Sequence, residues 1–116
     1  MKTLLATVVA LAISAASALA DPSGTYTVEG MAPDGREYTA DLEIAKVGDV
    51  YELTYTFSDQ SEQTGSAIGD DQFLAYGYGD DEELGVGLMA AKGDSWEGVW
   101  TNVGSSRMGI ETWTRD

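Results

Sequence analysis

Tyr51-Glu52-Leu53-Thr54-Tyr55-Thr56-Phe57 alternates apolar and polar residues without a break. Successive side chains of an extended chain point to opposite faces. Tyr51, Leu53, Tyr55 and Phe57 therefore form one apolar face, with Glu52, Thr54 and Thr56 opposite. That is the signature of a half-buried strand. The segments before it repeat the pattern: Tyr26 and Val28 alternate with Thr25, Thr27 and Glu29, and Tyr38, Ala40, Leu42 and Ile44 alternate with Thr39, Asp41 and Glu43.

Further along, the two faces are harder to tell apart. Glu62 to Ile68 carries Gly65 within it. Gln72 to Tyr78 sets Phe73, Ala75 and Gly77 against Leu74, Tyr76 and Tyr78. Leu84, Val86, Leu88 and Ala90 oppose Gly85, Gly87 and Met89, so both faces are apolar or small and neither declares itself inward. Trp96, Gly98 and Trp100, then Met108, Ile110 and Thr112, complete eight segments. Glu82 to Lys92 has some helical composition, but Gly85 and Gly87 would each cost about 1 kcal/mol in a helix interior, so a strand is expected.

The linkers read as turns: Pro33-Asp34-Gly35, Gly48-Asp49, Ser58-Asp59-Gln60, Gly69-Asp70-Asp71, Gly79-Asp80-Asp81, Lys92-Gly93-Asp94 and Asn102 to Ser106. Links this short join antiparallel neighbours, because a parallel crossover needs roughly a dozen residues or more. The expected fold is all-β: an eight-stranded antiparallel up-and-down meander closed into a small barrel, which removes the edges an open sheet would expose.

Upstream, Lys2 precedes an apolar run from Leu4 to Ile13, and Ala18-Leu19-Ala20 has the spacing that signal peptidase reads. The run is too short to span a bilayer. Residues 1–20 are therefore expected to be a cleaved secretory signal peptide and 21–116 one domain, periplasmic or secreted, with no membrane insertion after cleavage. From Asp21 onward the chain holds twenty acids against five bases, a formal charge of −15. Such a surface repels phosphate backbones, which excludes nucleic acid as an expected partner. With no Cys and no His there is no thiolate nucleophile, no serine triad of the usual kind and no ordinary zinc site.

The remaining candidates for chemistry are few. Asp80-Asp81-Glu82-Glu83 and Asp70-Asp71 lack the alternating ligands and sharp Gly turn of a calcium loop, so they read as solvated turns, and no metal or cofactor is expected. Glycoside cleavage needs two carboxylates about 5–9 Å apart across a cleft, for which Glu97 and Glu111 are the candidates. Glu111 also reads as an inward polar residue bonded to Arg107 or Arg115. Trp96-x-Gly98-x-Trp100 places two indoles on one face with a gap between them, a geometry that can stack a flat ligand or simply fill the barrel. Tyr76 and Tyr78 flank Gly77 in the same way.

The segments Gly24-x-Tyr26, Tyr51-x-Leu53-x-Tyr55, Gly65-x-Ala67-Ile68, Phe73-Leu74-Ala75-Tyr76, Gly85-Val86-Gly87, Trp96-x-Gly98-x-Trp100-Thr101 and Gly109-x-Glu111 span nearly all of residues 21–116. In them the chain resembles small exported bacterial proteins often labelled "fibronectin-binding protein", with an avidin- or lipocalin-like barrel. The resemblance implies fold and export rather than mechanism. Tyr26 stands where the lipocalin G-x-W motif has Trp, and no set of biotin-binding residues maps onto the chain.

The expected function is a non-enzymatic binding module for a protein or small ligand, with no catalytic residues and with Trp96, Trp100, Trp113, Tyr76 and Glu111 as the candidate ligand contacts. Two alternatives stand beside it. One is a structural or interaction protein with a filled barrel acting through its acidic surface. The other is a small hydrolase using Glu97 or Glu111.

Overall fold

The computed structural model describes residues 21–116, so the expected leader at 1–20 lies outside the described residues. Eight strands follow one another: β1 (Gly24–Met31), β2 (Glu37–Val47), β3 (Val50–Phe57), β4 (Glu62–Gly69), β5 (Phe73–Gly79), β6 (Leu84–Lys92), β7 (Ser95–Asn102) and β8 (Gly109–Arg115). Each pairs antiparallel with the next. β8 returns to β1, from Tyr26 opposite Arg115 to Met31 opposite Ile110, and closes the barrel. The eight-stranded meander expected from the alternation is the fold.

Link length differs between the two ends. At the lower end β2 meets β3 through Gly48-Asp49, and β6 meets β7 through Gly93-Asp94. The two glycines sit at φ 61° and 62°, as the first residue of a two-residue hairpin loop matched to strand twist requires. At the upper end the links are longer, running over residues 32–36, 58–61, 80–83 and 103–108. Acids organise several links: an Asp carboxylate accepts the backbone N–H two residues on at Asp34, Asp59, Asp70 and Asp80. The acidic turns are thus self-bonded Asx turns, and these bonds hold Asp59, Asp70 and Asp80 below the usual carboxylate range.

The lower half of the lumen is packed solid. Tyr26, Leu42, Ile44, Leu53, Leu74, Met89, Trp96 and Trp113 meet there, and Trp113 touches Tyr26, Tyr76 and Trp96 with ring centroids 6.2, 5.7 and 6.4 Å away. The segment before β1 forms the base. Pro22 is fully buried, and its carbonyl accepts the Tyr26 hydroxyl at 2.7 Å. Arg115 lies 4.8 Å from the Tyr26 ring centroid and donates to the Ser23 and Asp21 carbonyls, each at 2.9 Å. One guanidinium therefore ties the end of β8 to the chain entering β1, using both its planar fork and its affinity for a ring face.

The outer wall is asymmetric. Ile68, Ala75, Leu88, Val99, Ile110 and Met31 follow one another in cross-strand register from β4 round to β1. Leu84 and Val86 also face outward, more than half exposed. The inward positions beside them are small, Gly85 and Gly87, and each receives a tyrosine ring from β5. A Cβ on Gly85 would fall within the Tyr78 ring. Gly85→Ala is accordingly expected to swing Tyr78 off the wall and break its hydroxyl bond to Asn102 Oδ1. The expected cost is about 1–2 kcal/mol, seen as a lower urea midpoint at unchanged slope.

Candidate functional site

The upper half of the lumen is open. Its pocket is walled by Tyr38, Phe57, Tyr78 and Trp100, floored by Tyr55, Tyr76 and Glu111, and rimmed by the upper links. The hollow exists because small residues face rings across the strands. Tyr38 lies over Gly30, Tyr76 over Gly87 and Tyr78 over Gly85, so these rings lean on backbone instead of crossing the lumen. They also brace one another. Trp100 meets Tyr38 edge-on at 6.0 Å and Tyr78 at 5.9 Å, Tyr38 meets Phe57 at 6.3 Å, and Tyr55 stacks on Phe57 at 6.2 Å.

Glu111 is the buried charged residue at the floor, 6% exposed. Its Oε2 accepts the Tyr38 hydroxyl at 2.5 Å. Its Oε1 accepts Trp113 Nε1 at 2.7 Å and the Tyr55 hydroxyl at 2.9 Å, with the Tyr76 hydroxyl at 3.5 Å. Burial pushes the Glu111 carboxyl above its ordinary range, while these donors pull in the opposite direction. The three phenols are raised above the ordinary tyrosine range by burial first and by the Glu111 charge second, so they remain protonated donors. Trp100 Nε1 is buried without a hydrogen-bond partner among the described residues.

Of the five residues expected to contact a ligand, Trp100, Tyr76 and Glu111 line the pocket. Trp96 and Trp113 belong to the packed lower half; Trp113 reaches the site only through its bond to Glu111. Trp96 and Trp100 do share the inward face, but four residues of strand separate them by about 13 Å, so they sit at different depths. Glu111 is inward as expected, yet its partners are Tyr and Trp. Arg115 is occupied at the base, and Arg107 is exposed in the upper β7–β8 link. Glu97 faces solvent, 3.6 Å from Lys92 Nζ, so it and Glu111 stand on opposite sides of the wall and cannot act as a pair.

Tyr38, Tyr55 and Phe57 complete the site without having been singled out as ligand contacts, and Tyr78, which shares with Tyr76 a face able to stack a ligand, joins them. A usable signal was present. Each belongs to the inward set of its strand and lies toward the end served by the longer links, which is where a small barrel opens.

No family model matches the chain, and no curated protein sequence is similar to it. Solved structures share the fold. A redesigned β-barrel superposes with a TM-score of 0.62 at 16% identity, covering 87% of this chain and 94% of that one. A de novo designed fluorescence-activating β-barrel gives 0.60 at 18% identity, covering 81% and 93%. The protein EF1p2_mFAP2b bound to DFHBI gives 0.62 at 13% identity, covering 87% and 96%.

Proposed function

We propose that the protein is an exported, non-enzymatic binding module that takes one small, flat, largely apolar ligand into the upper half of its barrel. The observation that carries this reading is the aromatic pocket itself: closed below by the Trp113 layer, open above, and formed by rings that lie back against glycines. Ligand sites are typically concave and mostly apolar with a few fixed polar groups, and this one has Glu111 and its phenols. The solved barrels of the same shape support the reading, since one was designed for fluorescence activation and another is bound to DFHBI. Export is supported by the leader-like composition of residues 1–20.

The test is a fluorescence titration against a panel of flat apolar compounds. Saturable one-to-one quenching of indole emission is expected, and Trp100→Phe should remove most of the response. Gln63→Trp, which places an indole on the inward face of β4 beside the pocket, should weaken binding at least about tenfold, or 1.4 kcal/mol, with the unfolding midpoint unchanged. A panel that leaves the emission of the parent protein unaltered would overturn the reading.

A further inference from the structure

We propose that the ligand of this pocket is an organic cation whose charged group carries no hydrogen-bond donor, such as a quaternary ammonium on a small aromatic body. This deepens the pocket-binding reading and rests on it. Three observations converge.

The first is the charge at the floor. Glu111 is buried among neutral groups, and the one basic residue of the pocket lining among the described residues, Arg36, belongs to the link at the mouth. A buried carboxylate without a counter-charge favours any cation that reaches it.

The second is hydrogen-bond saturation. Tyr38, Tyr55 and Trp113 donate to the two carboxylate oxygens, with Tyr76 close behind. A primary ammonium brings three donors that need acceptors, and the floor has few left to offer. A quaternary ammonium needs none. It would gain from charge and from ring faces alone.

The third is the wall. Tyr38, Phe57, Tyr78 and Trp100 surround the space above Glu111 with aromatic rings. Rings arranged about a cavity hold quaternary ammonium groups through the negative potential of their faces. The mouth adds a long-range contribution, with Glu37, Asp59, Glu62, Asp80 and Glu83 against Arg36. A mouth lined by one sign of charge steers the opposite sign inward.

The experiment is calorimetric titration of the folded protein with three compounds of one shape and different charge: (4-hydroxyphenyl)trimethylammonium, 4-tert-butylphenol and 4-tert-butylbenzoate. The cation is expected to bind at least about tenfold more tightly than the neutral phenol, with the benzoate weakest. Glu111→Gln keeps the side-chain shape and should reduce the preference for the cation over the neutral phenol to about threefold or less. Phe57→Leu, in the wall and making no bond to Glu111, should lower cation affinity more than that of the neutral phenol, which keeps the proposal testable if the Gln variant folds poorly. Neutral binding equal to or tighter than that of the cation would overturn the cation class and leave the pocket reading intact. A preference that survives in Glu111→Gln would overturn the role of Glu111. Absence of binding by all three would overturn the pocket reading and this inference together.

Discussion

Trp113→Ala should lower the unfolding free energy by about 3–5 kcal/mol, the range for truncating a large buried aromatic. Trp113 has no solvent exposure, and its ring touches Tyr26, Tyr76 and Trp96. It joins the two halves of the lumen: below it the packing is continuous down to Pro22, and its Nε1 donates upward to Glu111. Without disulfides, a domain of this size has about 5–15 kcal/mol in all, so the loss would consume much of it. Trp113→Phe separates packing from polarity. Most of the ring contact remains and one bond to a carboxylate is lost, for an expected cost of about 1.5–3 kcal/mol. Chemical denaturation of the three proteins checks the order. An alanine variant with the parental midpoint would show that the lower half is less tightly packed than these contacts require.

The fold was legible because three strands, β1 to β3, keep strict alternation and because every link is too short for a crossover. The closure followed from physics rather than from a motif: eight strands joined by seven hairpins leave two bare edges unless the ends meet. The inward faces of β5 to β7 were not legible, for a reason visible in β6. Leu84, Val86 and Leu88 face outward, more than half exposed, while Gly85 and Gly87 face the lumen. Ranking faces by hydrophobicity would choose the wrong one. What decides the orientation is the cross-strand fit of the Tyr76 and Tyr78 rings against those glycines, a pairing across two strands that a single segment does not display.

The site was partly legible for a related reason. Alternation identifies which residues enter the lumen but not the depth at which they sit. Trp96 and Trp100 have the same face and similar neighbours, and only the contrast between short lower links and longer upper links separates them. The bonds of Glu111 were largely hidden because three of its four partners lie on β2, β3 and β5, far from it in sequence. Sequence proximity points instead to Arg107 and Arg115, and both have other positions.

Glu111→Ala should destabilise the protein by about 2–3 kcal/mol near neutral pH, whereas Glu111→Gln should equal or exceed the parent there. Alanine leaves Trp113 Nε1 and the Tyr55 hydroxyl as buried donors without the acceptor they now share, and an orphaned buried donor costs about 1–3 kcal/mol. Glutamine can keep its oxygen toward Trp113 and Tyr55 and turn its amide toward Tyr38, whose hydroxyl can accept. The two variants also differ in how stability follows pH. Burial holds the folded Glu111 above the value it has in the unfolded chain. For an acid this means that the folded state binds the proton more readily. The penalty is absent below the unfolded value, grows as pH rises above it, and is complete once pH passes the folded value. Asp59, Asp70 and Asp80 move oppositely, because turn bonds lower their values and their contribution is lost as pH falls. Both proteins share those turns, so the difference between Glu111→Gln and the parent isolates Glu111. Urea unfolding at a series of pH values from about 4 to 8 should show that difference rising with pH and then levelling. A flat difference would mean that the four surrounding donors fully offset burial, and an alanine variant as stable as the glutamine one would remove Glu111 from the architecture of the floor.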